Sequence, residues 1–492
     1  MIRFRFDAWK ITALVAGLAA FALLLGVEGP LHQLPGRGSR PALAAAVTAL
    51  MAVWWLCEAV PIHWTACVPL VVYPFSDVFS ASPLENLQRV VLPYFDAYIF
   101  LFLGGMCIAA AMQQWNLHRR IALAIMRAIG TDPRRLLFGV LAATAFISLW
   151  ISNTATATMM LPIALSVIFQ LETHAGGRRL EHYGAALMLA VAYAANVGGI
   201  GTKIGTAPNA QFASFMALRG VEISFLEYMA IGLPFVLLFL PVVWLALWRI
   251  GRRDAPDAAA GRDVLSAEIA ALGRMQRAEW VVLGVFACAA TLWIAGRPLT
   301  AWLTPRITWI AVSSARFEAG VAMTAAVLLL LLRVQGRRVL ELRWLRRLPF
   351  ETLVLLGGSL AMAAAIEASG LSGWLAGQLA GLREAPAWAQ LLLASLATVA
   401  LSAVASNVAT IAVMLSVLES SVAPALVTTA LFTATVAASC DFALPAGTPP
   451  NAIVFGSGYV SVPRMAKTGA LLDLAAALLA AGLCALLVPR VL

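Results

Sequence analysis

From residue 11 to residue 27 the chain runs without a charged side chain, and comparable apolar runs recur near 41–60, 62–79, 97–113, 185–218, 226–250, 279–296, 318–335, 348–368, 424–460 and 465–489. A bilayer core is matched by about 20 consecutive apolar residues in a helix. A chain with this many such runs crosses a membrane repeatedly. With 62% of its 492 residues hydrophobic and only 12% charged, it could not cover a soluble fold of this size with polar surface. The first run is longer than the apolar stretch of a signal peptide and is followed by further spans, so it is read as a retained first helix. The formal charge of +10 does not point to nucleic acid, because the basic residues are not interleaved with aromatics. They fall between spans, and most of the 34 Lys and Arg, including Arg3, Arg5 and Lys10, the cluster over 119–135, the cluster over 249–277 and the cluster over 333–347, share one side. By the positive-inside rule that side is the cytoplasm, which places the N-terminus there and the protein in the inner (plasma) membrane. The six cysteines lack metal-ligand spacing and read as packing residues.

Two regions, near 135–170 and 388–420, have polar centres: SNTATATMMLP begins at Ser152 and SNVATIAVMLS at Ser406. Backbone polar groups in a bilayer must be satisfied, so such centres are expected at protected tips of hairpins that enter and leave on one side. The halves also repeat. LFLGGMCIAAAM over 101–112 resembles VLLGGSLAMAAAI over 354–366, and GTAPN over 205–209 recurs as GTPPN over 447–451. Glycine and proline there predict broken helices near 185–218 and 424–460. The expected organisation is N-terminal scaffold helices over 1–96, a first repeat core over 97–250, a cytoplasmic linker over 251–278 with a short amphipathic helix around 267–272, second-half scaffold helices over 279–347, and a second repeat core over 348–492. One hairpin opening from each side makes the repeats inverted, an arrangement of secondary transporters. At each tip the free carbonyls (148–151 and 402–405) and the Ser and Asn oxygens suit a small hard cation such as sodium, and the new helix N-terminus suits an anion.

WWLCEAVPIHWTA, SLWISNTATATMMLPI, GGIGTKIGTAPN, LLGGSLAMAAAIEASGLSGWLA and LPAGTPPNAIVFGSG together resemble the divalent anion–sodium symporter family of dicarboxylate, citrate and sulfate carriers. The resemblance covers almost the whole chain. It implies an all-α polytopic homodimer with about eleven transmembrane helices and two re-entrant hairpins per subunit, and an elevator-type motion of a transport domain against a scaffold. It also implies two sodium sites, Ser148, Ser152, Asn153 and Gly205 at the first tip and Ser402, Ala405, Ser406, Asn407 and Gly447 at the second. Substrate carboxylates would meet Asn153, Thr154, Thr206, Asn407, Val408, Thr448 and Pro449. Val408 supplies no hydroxyl where bacterial dicarboxylate members usually carry threonine. Lys203 and Asp441 are unexpected charges at bilayer depth, read as a buried ion pair or as modifiers of cation coupling.

The function expected is secondary transport of a small dianion, most simply a C4-dicarboxylate, driven by sodium as coupling ion and with no other cofactor. Sulfate or citrate transport, sodium-independent exchange and proton coupling are the alternatives. An enzyme is not expected, since the sequence carries no HExxH, no GxSxG and no intramembrane Asp pair.

Overall fold

The computed structural model describes residues 8–306 and 313–492; Arg3 and Arg5 of the N-terminal basic cluster lie outside them. The described residues are predominantly helical, with a single two-stranded ribbon pairing Arg333–Val334 with Arg337–Arg338. Eight of the described helices are long and apolar enough to cross a membrane. Several others are shorter because they are halves of interrupted elements.

The predicted interruptions fall where the polar motifs stand. Helix Pro133–Ser148 stops before the first Ser-Asn pair and helix Asn153–His174 starts at it; helices Ala387–Ser402 and Asn407–Ser421 repeat this in the second half. Glu181–Gly199 and Ala207–Ala217 flank the first Gly-Thr motif, and Val427–Ala438 and Pro449–Phe455 flank the second. Proline at the first or second helical position restarts both outer pieces, where its missing N–H costs nothing.

The two halves interlock. A Cβ on Gly104 of helix Ala97–Gln114 would lie 2.5 Å from the Ala322 backbone, so that helix packs closely on Ser314–Leu331 of the second half. The matching glycines reverse the exchange. In helix Phe350–Ser369, a Cβ on Gly358 would lie 2.3 Å from the Ala66 carbonyl, and one on Gly357 would lie 2.4 Å from the Tyr94 ring, both in the first half. Small residues permit this backbone approach, which supplies the dispersion contacts that hold membrane helices together.

The linker departs from expectation. Its helix is Ala258–Ala271, not a short piece around 267–272, because the alanine run at its start favours helix and Gly273, at φ +61°, ends it. Glu268 anchors the helix, accepting from Arg119 and Ser166 and, at 3.4 Å, from Gln170.

Candidate functional site

At the first tip, Ser148 Oγ lies 3.0 Å from Asn153 Oδ1 and 2.6 Å from the Ala195 carbonyl. A hydroxyl has one proton, so these three oxygens share a single donor. Gly199 and Gly205 close the cluster. A Cβ on Gly199 would lie 2.1 Å from Asn153 Oδ1, and one on Gly205 would lie 2.4 Å from the Gly199 carbonyl and 2.9 Å from the Ser148 carbonyl. Only glycine lets the backbone oxygens come this near. Buried oxygens in excess of donors are the ligand chemistry of a hard cation, so the residues present fit sodium.

The second tip repeats the arrangement. Ser402 Oγ lies 3.0 Å from Asn407 Oδ1 and 2.7 Å from the Ala438 carbonyl. The broken helices correspond bond for bond. Asn209 Nδ2 donates to the carbonyls of Gly199 (2.8 Å) and Thr202 (2.7 Å), and Asn451 Nδ2 donates to those of Asp441 (3.0 Å) and Leu444 (2.9 Å). The Ser residues before each Asn differ. Ser406 accepts from the Ala409 N–H and caps its helix, whereas Ser152 makes no such bond.

Asn153, Thr154, Thr206, Asn407, Val408, Thr448 and Pro449, all seven of the expected substrate contacts, line one cavity of about 500 Å³. Ser152, Ser406 and Gly447 also reach it. Ser148, Gly205, Ser402 and Ala405 do not line it; all four are buried. Asn196, which also lines the cavity, joins the halves, donating to Thr448 Oγ1 at 3.0 Å and to the Asp441 carbonyl at 3.3 Å. Arg347, Glu351 and Thr352 line the cavity too, and nothing in their local sequence marks them. Arg347 stacks on Trp344, 4.7 Å from its ring centre, and brings a cation to the cavity lining beside the acid Glu351.

Lys203 and Asp441 do not form an ion pair. Lys203 Nζ, fully buried, lies 2.7 Å from Glu318 Oε2 and over the Tyr98 ring. Glu318 also accepts the Phe225 N–H at 2.7 Å. The ammonium is therefore paired with an acid of the Ser314–Leu331 helix. Asp441 is equally buried, and neither carboxylate oxygen has a hydrogen-bond partner among the described residues. Nor are intramembrane acids isolated from one another: Asp473, on helix Val462–Val491, accepts the N–H of Phe442 at 2.8 Å, next to Asp441.

Paired helix breaks around one cavity in a polytopic helical membrane protein are an architecture suited to transport. Comparison with known proteins agrees: residues 10–488 match the family described as the sodium:sulfate symporter transmembrane region. The chain belongs to this family of divalent anion–sodium symporters. It is 34% identical over 502 residues to the sodium-dependent dicarboxylate transporter SdcS of Staphylococcus saprophyticus, covering 99% of this chain and 93% of that protein. It is also 34% identical over 486 residues to SdcS of Staphylococcus aureus strain USA300, covering 96% and 90%. Two solved structures share the fold: the Alcanivorax borkumensis YdaH transporter (TM-score 0.56, 16% identity, 90% of this chain and 98% of that one) and Neisseria gonorrhoeae MtrF (TM-score 0.55, 13% identity, 96% of each).

Proposed function

We propose that the protein is a secondary carrier that moves a C4-dicarboxylate such as succinate, malate or fumarate with sodium. The observation that carries this reading is the convergence of both Ser-Asn tips and both Gly-Thr-x-Pro-Asn breaks on one cavity. Behind each tip lies a cluster of oxygens with too few protons. Sodium bound there orders each Asn, whose amide oxygen faces the cation and whose NH2 is left for a carboxylate. The helix N-termini at Asn153 and Asn407 add free N–H groups and positive dipole ends, one for each end of a dianion. Substrate binding thus follows cation binding, which is the basis of symport. The similarity to sodium-dependent dicarboxylate transporters over nearly the whole chain supports both substrate and ion.

In this reading the protein is a homodimer in the plasma membrane with its N-terminus cytoplasmic. The repeats are inverted, and the tips and breaks travel together against the scaffold. The test is uptake of labelled succinate into proteoliposomes, with sodium or choline outside and with sulfate or citrate as competitor. Saturable, sodium-dependent uptake with counterflow, resisted weakly by sulfate and citrate, is expected. Preference for sulfate or citrate overturns the substrate, and uptake indifferent to sodium overturns the coupling.

A further inference from the structure

The second tip differs from the first in one charged group. Asp441 is the counterpart of Gly199: the two backbone carbonyls are held by matching asparagines, Asn451 and Asn209. In the first half a side chain at this position would strike the amide oxygen of Asn153. In the second half the side chain exists, and it turns over Gly447. A Cβ on Gly447 would lie 1.8 Å from one Asp441 carboxylate oxygen and 2.5 Å from the other, whereas the counterpart Gly205 is faced by backbone carbonyls.

Among the described residues the carboxylate has no partner to account for it. It is 0% exposed, and neither oxygen has a donor among those residues. The buried ammonium nearest in sequence terms, Lys203, belongs to Glu318, and the ionisable side chain held against the adjoining Phe442 N–H is another acid, Asp473. Asn451 Oδ1 and Ser439 Oγ beside it are unpartnered as well. A charge buried without a partner is strongly disfavoured, and a carboxylate among neutral oxygens is a strong ligand for a hard cation.

We propose that Asp441 is a direct ligand of the sodium ion bound at the second tip, together with Ser402, Asn407 and the backbone around Gly447. This rests on the reading of that tip as a cation site. The two sodium sites are then chemically unequal, the first built from neutral oxygens and the second carrying a full negative charge. The second site therefore fills at the lower sodium concentration.

The experiment uses the purified full-length protein in detergent, with thermal unfolding followed as sodium replaces choline at constant ionic strength. The wild type is expected to be stabilised by sodium with a low midpoint, and Asp441→Asn and Asp441→Gly to raise that midpoint tenfold or more. A midpoint unchanged in both variants, whatever their stability without sodium, overturns the assignment. A wild type that does not respond to sodium overturns it as well. A measurement without substitution stands beside this: carbodiimide modification of Asp441, read by peptide mass spectrometry. Modification in choline that sodium suppresses is expected, and equal or absent modification in both salts counts against a bound cation. Sodium-dependent succinate uptake alongside an unchanged Asp441 midpoint would refute this inference alone and leave the proposed transport function intact.

Discussion

Replacing Lys203 with methionine removes one member of a pair whose side chains are both 0% exposed. Glu318 would keep the Phe225 N–H but lose its only cationic partner among the described residues, and breaking a buried pair on one side costs roughly 3–5 kcal/mol. At roughly 2 °C or less per kcal/mol in a chain this large, the midpoint of thermal unfolding should fall by no more than about 6–10 °C. Glu318→Gln retains an acceptor for Phe225 while leaving the ammonium unmatched, so it should cost a similar amount. The double variant carries no buried charge at this place. Because a desolvated pair contributes little beyond an apolar replacement, it should return to within about 2 kcal/mol of the wild type. The assay is thermal unfolding in detergent of the four proteins, paired with sodium-dependent uptake in proteoliposomes. Additive losses in the double variant would refute the pairing. A double variant that is stable but has altered sodium cooperativity would refute the separation of this pair from the coupling site.

Asn153→Ala and Asn407→Ala should each nearly abolish succinate uptake with unfolding temperatures near wild type, since each amide serves a cation and a carboxylate at once; uptake at wild-type rates in either variant contradicts the site. Val408→Thr adds a hydroxyl to the cavity wall, and a hydrogen bond to a charged group is worth roughly 1.5–3 kcal/mol, so the half-saturating succinate concentration should drop about tenfold or more. Arg347→Gln should raise that concentration severalfold and reduce its dependence on ionic strength, as measured by uptake at two salt concentrations. Burial alone would raise the Glu268 carboxyl, but the bonds from Ser166 and Arg119 outweigh it and hold it below the ordinary carboxylate value. Its stabilisation of the linker is therefore full at neutral pH and lost as the pH falls through the lowered value, and Glu268→Gln should open the linker to proteolysis already at neutral pH.

The tips and breaks were legible because their chemistry is local. A Ser-Asn pair or a Gly-Thr-x-Pro-Asn run is costly in mid-membrane unless it interrupts a helix, and the spacing between halves supplies the pairing of one motif with the other. Partnerships formed across the chain were not. Glu318 stands at the start of an apolar run, while the lysine it pairs with is 115 residues earlier. Asp441 and Lys203 look like mutual partners in sequence, since both precede a Gly-Thr motif, but Lys203 leaves its break toward Glu318 while the Asp441 carboxylate turns back over Gly447 of its own. Asp473 sits within the C-terminal span, and only packing of that helix brings it to Phe442. Arg347 and Thr352 enter the cavity from a segment whose own pattern is that of a span entrance. The extension of the linker helix back to Ala258 was missed because alanine carries no amphipathic signal, although it is the residue that most favours a helix.

The interlocking of the halves sets a timetable for synthesis. At ~5–20 residues per second, the 115 residues separating Lys203 from Glu318 take roughly 6–23 s to emerge. During that interval the lysine is in the membrane or at its edge without its counter-charge, a state costing on the order of 2.5–3.5 kcal/mol even on the milder insertion scale. The glycine seam of helix Ala97–Gln114 waits longer still, since Ala322 is made after Glu318. A nascent chain stalled before Glu318 therefore displays both an unmatched ammonium and an open small-residue groove, and these are the features by which membrane chaperones and proteases can tell an unfinished carrier from a finished one.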